Sequence, residues 1–91
     1  MDKTDFSSLL YKAMVSVKDE DECRSLFDDI CTPKEIQSIA QRLFVAKMLS
    51  EGYVYNDIVK ATGASTATIS RVRRTMTEGS KTVFERIKDD V

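Results

Sequence analysis

Residues 56–72 read NDIVKATGASTATISRV, from Asn56 to Val72, and the fold turns on this stretch. It predicts two short helices joined by a tight turn. Ile58 and Val59 begin the inward face of the first helix. Gly63 stands where that helix must stop, because glycine accepts the positive φ of such a stop without steric cost. Ser65 then caps the second helix, its hydroxyl accepting a backbone N–H left free at the helix start. Within that helix Ile69, Val72 and Met76 recur at i, i+3 and i+7 and point at a core. Ala67, Ser70, Arg71 and Arg74 share the opposite face, which is small, hydroxylated and basic. Such a face suits a helix laid in the major groove of DNA. The pattern predicts a helix-turn-helix from Tyr55 to about Thr75, with the recognition helix starting at Thr66.

A glycine between two short helices is a weak signal alone. The competing reading is an ordinary helical hairpin with a solvated polar face, and such faces usually mix Glu and Lys. Here the outward residues at the start of the helix are short and uncharged, and arginines follow.

Charge placement agrees. The 91 residues carry 14 basic and 15 acidic side chains, a net charge of −1 that does not advertise a nucleic-acid binder. The distribution does. Residues 1–31 hold four basic and eight acidic side chains, a net of −4, whereas residues 53–75 hold Lys60, Arg71, Arg73 and Arg74 against Asp57 alone, a net of +3. Phosphate binding draws on this local charge.

The length suits a single helical domain spanning 1–91, with a modest core that dimerisation would help. Two cysteines, Cys23 and Cys31, and no histidine argue against a zinc site, and no metal is expected. Without an imidazole, a Gly-rich phosphate loop or a nucleophile–base set, no catalytic residues and no enzyme are expected. No run is long and apolar enough to cross a bilayer, and Met1-Asp2-Lys3-Thr4-Asp5 does not read as a signal peptide. The expectation is a cytoplasmic protein with reduced thiols and no membrane partner.

Taken in order, the chain predicts a first helix over Asp5–Val17, capped by Thr4 or Asp5, with Phe6, Leu9, Leu10, Ala13, Met14 and Val17 forming an apolar stripe. That stripe fits either its own domain or a partner subunit. A second helix starts near Asp19, and its acidic run Asp19–Glu22 sits where carboxylates offset the helix dipole. Cys23, Leu26, Phe27 and Ile30 are its expected buried stripe. Thr32-Pro33-Lys34-Glu35 is a capping box opening a third helix, with Cys31 and Ile36 as the hydrophobic staple. That helix runs to about Ser50, and Gly52 ends it. Ile36, Ile39, Ala40 and Leu43 line one side, and Phe44, Val45, Met48 and Leu49 widen the apolar surface, as expected of a central helix. Tyr53-Val54-Tyr55 leads into the motif, and its aromatics either touch DNA sugars or, the favoured reading, anchor the link on the core. After the motif, Thr77-Glu78-Gly79-Ser80 is expected to break the chain before a last helix that turns Val83, Phe84, Ile87 and Val91 inward. No strand-like alternation occurs, so the fold class is all-α with six helices.

The order of elements, together with Thr32-Pro33-x-Glu35, Arg42 and Gly63-Ala64-x-x-Ala67-Thr68-Ile69-x-Arg71, resembles the Trp repressor family, and within it a small Trp-repressor-like branch of bacterial proteins. The resemblance covers the chain from about Leu9 onward. It implies a six-helix Trp-repressor-like fold forming an intertwined homodimer, and a DNA-binding transcriptional regulator that acts as a repressor. Carried over by position, Asn56, Lys60, Ser65, Thr66, Ala67, Thr68, Ser70, Arg71 and Arg74 are the residues at DNA. Of these, Thr66, Ala67, Thr68 and Ser70 lie nearest the base edges, and Lys60, Arg71 and Arg74 hold phosphates. Asn56 stands where the family has an arginine.

The family's effector site sandwiches an indole between two arginines beside a threonine that precedes proline. Arg42, Arg71 and Thr32 match those positions, and Thr75 stands where the family has a serine. Val72 replaces a family glycine that lies close against the indole, so either its branched side chain occupies ligand space or its helix face is used for packing. No cofactor is therefore expected. An amino-acid corepressor such as tryptophan is the small-molecule effector that the resemblance implies and that Val72 opposes. The expected partners are double-stranded DNA and a second copy of the chain. The alternative is a helical protein-interaction module that keeps the frame but has lost operator binding, for which the acidic N-terminal third speaks.

Overall fold

Six helices follow the local signals closely in a computed structural model that describes residues 5–88. They are α1 (Phe6–Ser16), α2 (Glu20–Ile30), α3 (Pro33–Ser50), α4 (Tyr55–Thr62), α5 (Thr66–Thr75) and α6 (Glu78–Ile87), and no strand occurs among the described residues. The chain divides into two compact units, Met1–Ile36 and Gln37–Val91, with the boundary inside α3.

In the first unit the caps are as expected and the burial is not. Asp19 caps α2, its carboxylate accepting the Glu22 N–H at 2.8 Å, and Glu20, Asp21 and Glu22 fill the first turn. The capping box at the start of α3 is reciprocal. The Thr32 N–H donates to Glu35 Oε1 at 2.8 Å, and the Glu35 N–H donates to Thr32 Oγ1 at 3.1 Å. The Glu35 carboxyl is held below its ordinary pKa of 4.5, the Thr32 backbone N–H contributing most and the Thr32 hydroxyl next. Asp5 occupies the cap position of α1 but makes no side-chain cap bond, and Thr4 lies outside the described residues.

Neither α1 nor α2 contains a buried residue. Phe6, Leu9 and Leu10 of the predicted α1 stripe are exposed, as are Tyr11 and Val15, the last at 86%. On α2, Cys23, Leu26 and Phe27 reach only half-burial and Ile30 is exposed, so the expected buried stripe is not buried. Cys31 and Ile36, the predicted staple, are both half-buried. The physical reason is size: two 11-residue helices and one turn of a third cannot enclose two apolar stripes.

The second unit does close a core. Val45, Ile58 and Ile69 are fully buried, with Met48 and Ala64 beside them, and Leu49, Tyr55, Val59 and Val72 pack around this cluster. The end of α3 turns on Gly52, whose φ of +87° is the left-handed conformation that glycine tolerates. The Tyr53 N–H then returns to the Met48 carbonyl at 3.1 Å. A long-range bond ties α3 to the end of α4, where Gln41 Nε2 donates to the Thr62 carbonyl at 3.0 Å. The buried face of α3 is Val45, Ala46 and Met48, not the expected line of Ile39, Ala40 and Leu43. Ile39, Leu43 and Phe44 are exposed, Leu43 by 53%. The helix-turn-helix sets the inward direction of α3, and Ile39, Leu43 and Phe44 are left outside the core it closes.

The last helix starts earlier than expected. Thr77 caps it, its hydroxyl accepting the Gly79 N–H at 3.3 Å, so Glu78, Gly79 and Ser80 are helical and the break is confined to Met76–Thr77. A hydroxyl cap followed by an acidic first turn outweighs the turn-like composition. Phe84 alone is buried on α6, while Val83 and Ile87 are exposed. Val91 lies outside the described residues.

Candidate nucleic-acid interface

The motif at 55–75 is built by local chemistry. α4 ends at Gly63, which has φ +72° and donates its N–H to the Val59 carbonyl at 2.8 Å. A Cβ at Gly63 would meet nothing within 4 Å, so the dihedral and not space demands glycine there. Thr62 stiffens the turn, its hydroxyl donating to the Ile58 carbonyl at 2.7 Å and accepting the Ala64 N–H at 3.1 Å. Ser65 caps α5 by accepting the Thr68 N–H at 3.1 Å, and its hydroxyl also donates to Thr68 Oγ1 at 3.1 Å. The helix begins at Thr66 and closes at Thr75, the bounds expected from the residues. Met76 lies just beyond it, as C-cap, and is half-buried.

The core clamps one side of α5 through fully buried Ile69 and half-buried Val72. The other side is open. Thr66, Ala67, Arg71 and Arg74 are exposed, as are Asn56 and Lys60 on α4, while Thr68 and Ser70 are half-buried. The described ion pairs involve none of Lys60, Arg71 and Arg74, so no acid among the described residues ties up these cations. Val54 offers no side-chain cap to α4, so the positive end of that helix adds to the field.

Two recesses flank α5. One, of about 420 Å³, is lined by Arg42, Thr68, Arg71, Val72 and Thr75, so three of the four candidate effector residues come together. Val72 lines this recess and also packs on the core. Thr75 spends its hydroxyl on its own helix, donating to the Arg71 and Val72 carbonyls at 3.2 Å. Thr32, the fourth candidate, belongs to the first unit and is committed to the capping box.

The other recess is lined by Arg73 and Lys81, to which sequence reasoning gave no role, and by Tyr55, which it read as anchoring the link on the core or touching DNA sugars. Tyr55, the first residue of α4, is half-buried against the core. Its phenol is held below the ordinary pKa by Ser70 first and by Arg73 next, with a weaker contribution from the Arg74 charge. Tyr55 and Ser70 are far apart in sequence, so no local periodicity could have paired them. The signal available was the positive charge of Arg73, counted in the regional balance but assigned no role. Among the described residues no group of His, Cys, Asp and Glu could hold a metal, and no helix is long and apolar enough to cross a membrane.

Residues 7–89 match the family model for the Trp repressor protein. The chain belongs to the Trp repressor family. This is a family of transcription regulators and not of enzymes. The Trp repressor-like chain is 51% identical over 83 residues to the uncharacterized protein YerC of Bacillus subtilis (strain 168), a match that covers 88% of this chain and 80% of that one. Its fold matches the crystal structure of a TrpR-like protein from Eubacterium eligens ATCC 27750. The TM-score is 0.84 at 49% identity, with 94% of this chain and 92% of the other covered. A proposed Trp repressor from Staphylococcus aureus matches with a TM-score of 0.81 at 43% identity, covering 89% and 84%. The all-α Trp-repressor-like fold expected from the residues is thus the fold observed.

Proposed function

We propose that this chain is a sequence-specific, double-stranded DNA-binding transcriptional regulator that acts as a repressor, works as a homodimer and operates in the cytoplasm. The observation that carries the reading is the two-sidedness of α5. Ile69 is fully buried, whereas Thr66, Ala67, Arg71 and Arg74 stand in solvent, and neither arginine takes part in an ion pair among the described residues. Ala67 and the threonine methyl groups are suited to thymine methyls, and hydroxyls to base edges or bridging waters. Arg71, Arg74 and Lys60 are suited to phosphates, which fix register more than sequence. Homodimerisation is supported by the apolar side chains that the chain leaves exposed, among them Phe6, Leu9, Leu10, Leu43 and Phe44.

Fluorescence anisotropy against genomic duplexes at low salt tests the reading. The wild-type chain is expected to retain specific fragments. Arg71→Ala with Arg74→Ala is expected to weaken all duplexes alike and to flatten the salt dependence by about one logarithmic unit of slope for each phosphate no longer neutralised. Equal affinity of wild type and double variant would remove the basis of the claim. No retained duplex together with a co-purifying protein would favour the interaction module.

Regulation follows from Val72. Its side chain lines the recess together with Arg42 and Arg71, where the family has a glycine, and we infer that DNA binding does not require tryptophan. Tryptophan is expected to leave the melting temperature unchanged, since only a ligand selective for the folded state raises it. A clear rise with tryptophan would contradict the role given to Val72.

A further inference from the structure

The recess on the Tyr55 side of α5 encloses about 500 Å³ and has Tyr53, Tyr55, Arg73, Met76, Glu78 and Lys81 among its walls. Its aromatic and apolar floor is fixed, because Tyr55 packs on the core cluster and Met76 is half-buried. The charged groups and the Tyr55 phenol supply its polar side. Arg73 takes part in none of the described ion pairs, and Lys81 pairs with Glu78 at 3.3 Å. That pair is weak competition for a ligand, since the Glu78 side chain is 87% exposed and solvent screens it.

The position of the recess is informative. Arg73 lies three residues on from Ser70, one turn along the same flank of α5. Arg73 lines the recess and stands in sequence between the exposed Arg71 and Arg74 of α5, so the recess borders the face that carries the proposed DNA-binding residues; the lowered pKa of the Tyr55 phenol, caused by Ser70 first and Arg73 next, agrees. A planar guanidinium, an ammonium and a phenolic O–H converging on one opening are the donors that a phosphodiester takes. A free carboxylate with an apolar body would fit the floor, but the bordering DNA face favours the duplex backbone.

We propose that Tyr55, Arg73 and Lys81 form a seat for a DNA backbone phosphate on this flank of α5, beyond the phosphates held by Arg71, Arg74 and Lys60. The seat rests on the reading of α5 as the recognition helix. It fixes how deeply and at what tilt the helix enters the groove and carries no base preference, as backbone interactions do not.

The full chain is titrated with a duplex it retains, over a salt series, as wild type, Arg73→Gln, Lys81→Gln, Arg73→Lys and Tyr55→Phe. Thermal melts establish that each variant is folded. The slope of log affinity against log salt is expected to fall by about one for each charge removed by the two glutamine variants, equally for matched and mismatched duplexes. Arg73→Lys, which keeps the charge, is expected to hold the wild-type slope. Tyr55→Phe, which keeps the ring, is expected to lower affinity without changing the slope. Wild-type slopes in both glutamine variants would overturn the seat while leaving the reading of α5 intact. So would benzoate binding that Arg73→Gln abolishes without any change in DNA slope. Failure of the wild-type chain to bind any duplex would overturn both.

Discussion

Among the described residues, 37–88 seal three side chains completely from solvent, whereas 5–36, with two full helices, bury none on either helix. Both regions carry amphipathic patterns of comparable quality in the sequence. The difference lies in what each pattern has to meet. In the second unit α4 and α5 fold back across a three-residue turn and give α3 a surface to close against, so Val45, Ile58 and Ile69 find partners within the same chain. In the first unit the apolar stripe of α1 and the half-buried stripe of α2 remain open. A hydrophobic stripe states that a face will be covered and not by whom. In the proposed dimer the open stripe is the surface offered to the second copy, while α5 rests on a cluster built from α3, α4 and α5 of its own chain.

The contrast is sharpest in truncation of the two regions. Ile69→Ala is expected to cost about 2–5 kcal/mol, because a fully buried side chain is removed from the floor under α5 and leaves a cavity. Chemical denaturation at several protein concentrations should show that loss at every concentration. Leu10→Glu, on the exposed α1 stripe, is expected to act through association instead, lowering the solution mass while leaving helix content nearly unchanged. Equal, concentration-independent losses in the two variants would erase the distinction between the regions.

A smaller effect separates local caps from packing. Thr32→Ala is expected to cost about 1 kcal/mol by removing the N-cap of α3. Glu35 adds a pH signature to the same box. Its folded-state pKa lies below 4.5, so its contribution is complete above that value and is lost as pH falls through the lowered pKa. Stability measured between neutral and acid pH should therefore fall less in Glu35→Gln than in wild type over that window. An identical acid profile would mean that the box is not formed in solution.

The same division governs what can be read from residues alone. The bounds of α4 and α5, the turn at Gly63, the Ser65 cap and the Thr32–Glu35 box are legible because each is a local backbone problem solved by nearby side chains. The start of α6 is hidden because Gly79 and Ser80 look like a turn, although one hydroxyl at Thr77 suffices to start a helix before them. The inward face of α3 is hidden because almost every side of that helix is apolar, and only the docking of α4 and α5 selects Val45 and Met48 over Ile39 and Leu43. At the site, the exposed α5 face is legible from periodicity. The placing of Tyr55 and Arg73 on one recess is not, since it joins two helices across the turn and depends on tertiary placement.

The central claim is that the open face of α5 reads duplex DNA as one half of a two-fold pair. Selection of duplexes bound by the full chain from a random library tests it most directly. The account predicts an enriched pseudo-palindrome whose half-sites are spaced for two recognition helices about 34 Å apart. A bound pool with no shared sequence and no two-fold symmetry would contradict it.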